Sequence, residues 1–404
     1  MNKIDFTLKK SPYYIKKDYK LNNSIATLEN WRLPPFNRNA FSNVREIIPT
    51  SKLNKITYPY SSDNDFKNLN LKVSGFSGNN LKLEEFLKTT TVDAFCVSSK
   101  GKPVFQWSSE YSSCYQPHII FSVSKSMTAL LVGCLIEDGL VEEDTLVSHI
   151  FPETFGSAFE DASIRNLLDM SVSSNFVEDY LATSGIFIDY RQSTGWNPQD
   201  IRKLSDLKSF LFTLKRGKGH HGQKFEYHST NSDMLGLIIE KLTGKKYGEL
   251  FYERLLKPLE AQDEAYISVD RVGTPRAAGG ICISARDLLK ICEMVRCLGK
   301  NQEGMQVFPK SWIEDILTGA SDKEFILDGH SDIFPQGLYR SKWYRPYINR
   351  SLLFGLGIHG QWIWIDFDSQ LSIVCLSSDP KPIMKNNIVL MEKVFNQITE
   401  QLKV

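Results

Sequence analysis

The sequence predicts an α/β (α+β) protein in which both ends of the chain build one sheet and a helical stretch is inserted between them. Three observations carry this expectation. Short β-prone runs cluster between residues 92 and 107, apolar residues then recur at helical spacing from Ser122 onward, and β-prone runs return between 361 and 376. Composition agrees with a folded chain large enough to enclose a pocket. Its 404 residues are 42% hydrophobic and 24% charged, which excludes wholesale disorder and coiled coil. Lys and Arg total 48 against 47 Asp and Glu, so a net charge of +1 gives no electrostatic footprint for nucleic acid or an anionic membrane.

In chain order, residues 1–65 are polar, studded with aromatics and weakly periodic. Trp31-Arg32-Leu33-Pro34-Pro35 excludes an internal helix because proline lacks the donor, so this stretch reads as an arm packed on the body. Val92–Ser98 and Val104–Trp107, separated by Lys100-Gly101-Lys102, have a hairpin signature. Val123, Met127, Leu130, Leu131, Cys134 and Leu135 mark a buried helix. Further helices are expected at Ser163–Met170, Asp200–Leu214, Asn231–Thr243, Lys245–Leu256 and Leu288–Cys297, the last with Ser284 as its N-cap. Strands Gln361–Asp366 and Leu371–Leu376 and a terminal helix near Asn387–Leu402 finish the chain. The expected division is an N-terminal arm over 1–65, an α/β lobe from 66–144 and 276–404, and a helical lobe over 145–275, with a cleft between the lobes.

The first residues carry charge without an apolar run behind them, and no stretch approaches 18 apolar residues. Seven cysteines show no disulfide framework. The expectation is a cytoplasmic protein with reduced thiols and no membrane span.

The chemistry concentrates in three places. Ser122-Val123-Ser124-Lys125 opens the buried helix, so the hydroxyl and the amine share one helical face. A helix N-terminus favours a developing alkoxide, and a desolvated lysine loses proton affinity and can activate serine. The same loose pattern occurs at Ser99–Lys102, Ser205–Lys208 and Ser378–Lys381, yet only the Ser122 copy starts a long apolar helix. Tyr227, in Phe225-Glu226-Tyr227-His228-Ser229, sits on a turn just before a helix, where a phenol can relay protons. Gly355-Leu356-Gly357-Ile358-His359-Gly360 enters a strand, and an N–H there can complete an oxyanion hole with that of Ser122. His220-His221 lacks further residues at ligand spacing, so no metal is expected.

Taken together, Ser-x-x-Lys, Tyr-x-Ser about a hundred residues on and a late glycine-bearing strand resemble the plan of penicillin-recognising serine hydrolases. Asn30-Trp31-Arg32, Asn37-Arg38, Leu167-Leu168-Asp169-Met170, Glu178-Asp179-Tyr180, Gly195-Trp196, Ala285-Arg286-Asp287-Leu288 and Gly357-Ile358-His359-Gly360-Gln361 resemble, more closely, the 6-aminohexanoate-dimer (nylon-oligomer) hydrolases. Those are carboxylesterase-like proteins with a class C β-lactamase fold: an antiparallel sheet flanked by helices, plus a mostly helical lobe. The resemblance implies a serine hydrolase of carboxylic esters or amides working through an acyl-enzyme. Ser122 would be the nucleophile, Lys125 its base and Tyr227 the second proton-transfer group, with the N–H groups of Ser122 and Ile358 as oxyanion hole. Tyr180 would contact a substrate nitrogen from a loop over the cleft, Trp196 would line the lid, and Ser229, Gly357 and His359 would border the substrate. The expected partner is a small-molecule ester or amide; no cofactor is required, and a homodimer is compatible with the resemblance.

Departures narrow the substrate. Gly355-Leu356-Gly357 stands where β-lactamases have Lys-Thr-Gly, removing the groups that bind a β-lactam carboxylate. Ala278 occupies a position that is polar in relatives acting on nylon dimer, and the Asp189/Tyr190 region has no clear counterpart. Two other readings compete: a β-lactamase or D-alanyl-D-alanine peptidase, and a non-catalytic binding protein on the same fold. The missing Lys-Thr-Gly argues against the first, and the joint presence of Ser122, Lys125 and Tyr227 against the second.

Overall fold

Antiparallel pairing gathers the two ends of the chain into a seven-stranded sheet. In the computed structural model, which describes residues 25–53, 68–75, 78–319, 334 and 337–403, its strands are β1 (Val92–Ser99), β2 (Lys102–Ser108), β3 (Leu338–Arg340), β4 (Trp343–Arg345), β5 (Leu352–Gly357), β6 (Gln361–Asp366) and β7 (Leu371–Ser377). The spatial order is β2-β1-β7-β6-β5-β4-β3, so the early hairpin docks on the last strand. Lys100 and Gly101, both at positive φ, make the two-residue turn that the hairpin signature predicts.

The sheet is buried on both faces, and each strand sorts its side chains by alternation. Ala94, Cys96, Ile363, Ile365, Val374 and Leu376 face a core shared with the helices α1 (Val123–Glu137), α2 (Ser229–Thr243) and α3 (Ala285–Arg296). Phe95, Val97, Trp362, Trp364, Ile373 and Cys375 face the terminal helix α4 (Lys385–Leu402) through Val394, Phe395 and Ile398. Helix α1 is buried along every side from Val123 to Leu135, as befits a helix at the centre of a large core. Ser284 caps α3 by accepting from the Asp287 N–H.

Several elements differ from expectation for identifiable reasons. The helix expected at Asp200–Leu214 is split, because the Asp206 carboxylate accepts from the Ser209 N–H and starts a new helix at Leu207–Thr213. The helix expected at Lys245–Leu256 is α-helical over Tyr247–Phe251 and then widens into a π turn. The β3–β4 hairpin was not foreseen. Its turn uses Ser341 and Lys342 at positive φ in place of the usual Asn-Gly, and the Asp169 carboxylate holds it through the Ser341 N–H and Arg340. A second, four-stranded sheet joins Thr50–Lys52, Tyr266–Ser268, Ile281–Ile283 and His118–Ile119. It too was unforeseen, since its strands have only two or three residues. All seven cysteines are free. Among the described residues no helix is long and apolar enough to cross a membrane.

Of the arm expected over 1–65, residues 1–24 and 54–65 lie outside the described residues. The remainder is stitched to the body. Trp31 is fully buried, edge-on to Trp196 at 5.4 Å, stacked with Phe121 at 6.1 Å and edge-on to Phe41 at 6.0 Å. Asn37 donates to the Ser378 carbonyl, and Arg38 donates to the Asp93 carboxylate at 2.9 Å. Removing a buried ring of this size forfeits its transfer energy and leaves a cavity. Trp31→Ala should therefore lower unfolding stability by about 3–5 kcal/mol. A urea midpoint within error of the unaltered protein would show that the arm contributes nothing.

Candidate active site

Ser122 begins α1 in right-handed geometry, directly after Phe121 at φ +41°. A bulky residue seldom adopts that conformation, and here the ring is held from all sides by Trp31, Phe41, Trp196 and His359. An N-cap serine ordinarily accepts from its own helix. Ser122 does not: its Oγ accepts from Lys125 Nζ at 2.8 Å. The i, i+3 spacing read in the sequence thus becomes a direct contact.

Lys125 is 2% exposed, and Nζ also donates to the Ala278 carbonyl at 2.9 Å. That carbonyl is fixed because the Ala278 N–H donates to Asp233 Oδ1 at 2.8 Å, while Asp233 is ion-paired with Arg276 and accepts from the Tyr190 hydroxyl. Burial pulls the Lys125 amine down to about 8; Glu178 and Asp233 oppose that fall and Arg276 assists it. The Lys125 ammonium position lies 5.0 Å from the centre of the Tyr227 ring. Tyr227 lines the same cavity as Ser122 and Tyr344, and burial holds its phenol well above the ordinary value. Serine, lysine and tyrosine therefore meet, with the amine prepared to take a proton and the phenol prepared to pass one.

The glycines of β5 have a steric function. A Cβ on Gly357 would stand 2.8 Å from the Ile120 carbonyl, and one on Gly355 would press on Ile363. Without them the strand can close on the start of α1, and Ile358 borders the same two cavities as Ser122. The larger cavity, about 330 Å³, runs from Ser122 and Tyr227 past Gly357, Leu356 and Trp362 to Ile388 and Met391. A smaller recess of about 30 Å³ adjoins it, and Trp196 lines that recess.

Two of the residues expected to border the substrate are engaged by the protein's own side chains and backbone. Ser229 lines the recess and donates its hydroxyl at 2.6 Å, and its N–H, to the Glu178 carboxylate, so it also fixes that side chain. His359 borders neither cavity: it is 2% exposed, Nδ1 lies 2.7 Å from the Asp379 carbonyl, and its ring packs on Phe41 and Phe121. Burial depresses it to about 4, which makes it a neutral strut. Tyr180 borders both cavities, with its hydroxyl donating to Glu178 at 2.6 Å.

Sequence reasoning assigned no role to Glu178, Asp233, Arg276, Lys342 or Tyr344. Asp233 was the detectable one, a carboxylate on the apolar face of α2. Lys342 is a second buried amine, donating to the Leu167 carbonyl and driven well below its ordinary value by burial and by Lys125. Among the described residues no group of acidic, histidine and cysteine side chains is arranged to hold a metal ion.

Fold and site together define a serine–lysine–tyrosine arrangement of the penicillin-recognising type, and comparison with known proteins agrees. Residues 92–391 match the beta-lactamase family model, and the chain belongs to that family and is a hydrolase. It is 33% identical over 359 residues to the 6-aminohexanoate-dimer hydrolase of Paenarthrobacter ureafaciens, covering 88% of this chain and 89% of the relative. A solved structure from Bacillus anthracis, assigned provisionally as a 6-aminohexanoate-dimer hydrolase, superposes with a TM-score of 0.82 at 22% identity, over 93% of this chain and 97% of that one. A family VIII carboxylesterase gives a TM-score of 0.55 at 13% identity, over 77% of this chain and 93% of that one.

The electrostatics yield a direct test. The Lys125 Cε resonance should titrate near pH 8, in place of the usual lysine range near 10.4. Because Glu178 favours the charged amine, Glu178→Gln should move that midpoint lower. A midpoint near 10 in the unaltered protein would contradict the buried geometry.

Proposed function

We propose that the protein hydrolyses carboxylic esters or amides through an acyl-enzyme on Ser122, with Lys125 as base and Tyr227 as the second proton-transfer group. The observation that carries this reading is the 2.8 Å contact between Ser122 Oγ and an amine lowered to about 8. At neutral to mildly alkaline pH a fraction of Lys125 is uncharged and able to accept the hydroxyl proton.

In the acylation step Ser122 Oγ bonds to the substrate carbonyl carbon as its proton passes to Lys125 Nζ. The carbonyl oxygen takes up negative charge beneath the N–H groups of Ser122 and Ile358, where one such donor contributes about 10²–10³ in rate. Tyr227 hands a proton to the leaving oxygen or nitrogen as the bond to carbon breaks, and Lys125 restores the phenol. Water then attacks the serine ester, giving up one proton to the same relay, and Ser122 departs with a proton recovered. The sum is ester or amide plus water to acid plus alcohol or amine. Tyr227 borders the larger cavity and not the recess, so the leaving group lies in the larger, mostly apolar space.

The relative's name, a hydrolase of 6-aminohexanoate dimer, supports amide chemistry, and the carboxylesterase fold neighbour is consistent with ester chemistry. Free thiols at all seven cysteines support a reducing, cytoplasmic setting. A fluorophosphonate probe should label Ser122, and Ser122→Ala should lower p-nitrophenyl butyrate turnover by more than about a thousandfold; retained activity would discard the assignment. Tyr180→Phe should slow anilide cleavage about tenfold more than cleavage of the matched ester, as expected for loss of a hydrogen bond to nitrogen. Equal losses would remove that contact.

A further inference from the structure

The recess beside Ser122 holds more positive charge than the mechanism uses. Arg32, Lys125, Arg191 and Arg276 border it, against Glu178 alone. Arg276 is neutralised by Asp233, and Glu178 is occupied by Ser229 and the Tyr180 hydroxyl. The other two guanidiniums have no such partner. Arg191 donates to the Tyr180 carbonyl at 3.2 Å and lies over the Phe187 ring at 4.5 Å. Arg32 donates through Nη2 to Asn197 at 2.5 Å and stacks against Trp31 and Trp196, while Nη1 is buried with no hydrogen-bond partner among the described residues.

A buried charged donor left unpaired is costly, and folds keep one where something else completes it. Among the described residues no carboxylate eases the Arg32 charge, and Glu178 and Asp179 offset that of Arg191 only in part. Burial, with Arg191 and Arg276 alongside, presses the Arg32 guanidinium down to about 9. The recess, about 30 Å³, has room for a carboxylate group but not for a bulky chain. It shares Ser122, Tyr180 and Ile358 with the larger cavity, so the two spaces meet at the attacked carbonyl.

We propose that this recess receives a carboxylate carried on the acyl part of the substrate, next to Arg32 and Arg191. Preferred substrates are then half-esters or half-amides of short dicarboxylic acids, such as succinyl or glutaryl groups, joined to an apolar alcohol or amine. The assignment of sides follows from Tyr227: the group it protonates leaves through the larger cavity, and the acyl chain turns the other way. The apolar wall of Leu356, Trp362, Ile388 and Met391 suits the uncharged leaving group. This inference rests on the hydrolase reading above.

The test compares monobutyl glutarate with butyl valerate, which share alcohol and acyl length and differ by one carboxylate, in a pH-stat. The anionic ester should show at least a tenfold higher kcat/KM at low salt, and the ratio should shrink as salt rises. Arg191→Gln and Arg32→Gln should each lower that ratio, and free glutarate should inhibit the unaltered protein competitively. Should Arg32→Gln fail to fold, Arg191→Gln and glutarate inhibition decide the matter. If butyl valerate is cleaved as well as monobutyl glutarate, the carboxylate recess is refuted while the hydrolase reading stands. If neither ester is cleaved and the fluorophosphonate leaves Ser122 unlabelled, the hydrolase reading fails and this inference with it.

Discussion

The site depends on one amine kept from water and given only uncharged oxygens as neighbours. Lys125 Nζ touches a hydroxyl and a backbone carbonyl, neither of which offsets a full charge as a carboxylate would. Its proton is therefore loosely held. Charge compensation is placed one layer further out, where Asp233 meets Arg276 and Glu178 is gripped by Ser229 and Tyr180. This spacing matters: a carboxylate directly on Nζ would keep the amine protonated, whereas none nearby would depress it further.

Backbone geometry supports the same end. The turn that aims Ser122 places Phe121 in an unfavourable conformation, and an aromatic cluster drawn from the arm, the Trp196 loop and the His359 turn holds it there. Across the cleft, Gly355 and Gly357 remove the side chains that would hold β5 off the helix start. A small residue on the strand and a large one before the serine are two halves of one fit.

Much of this was legible because it depends on local pattern. Helical spacing put Ser122 and Lys125 on one face, turn chemistry marked the Lys100-Gly101 hairpin, and alternation marked β6 and β7. What escaped depends on contacts distant in sequence. No local rule pairs Ser229 with Glu178, 51 residues away, or explains a Ser341-Lys342 turn held by Asp169. The surroundings of His359 have a similar source. It sits between glycines on the strand, and its ring is taken up by Phe41, a residue more than three hundred positions earlier. The charge of the recess was equally hidden, since Arg32 and Arg191 become neighbours only once the arm is folded onto the body.

The family match begins at residue 92, yet Arg32 lies upstream of it and lines the recess beside Ser122, while Trp31 packs on the Phe121 and Trp196 rings next to it. On the proposed reading, the heritable unit of selectivity is larger than the recognised domain. Exchanging the leading segment between relatives offers evolution a way to retune which molecules are accepted while the proton-transfer machinery stays untouched. Surveys that compare only the shared domain will overlook that source of divergence.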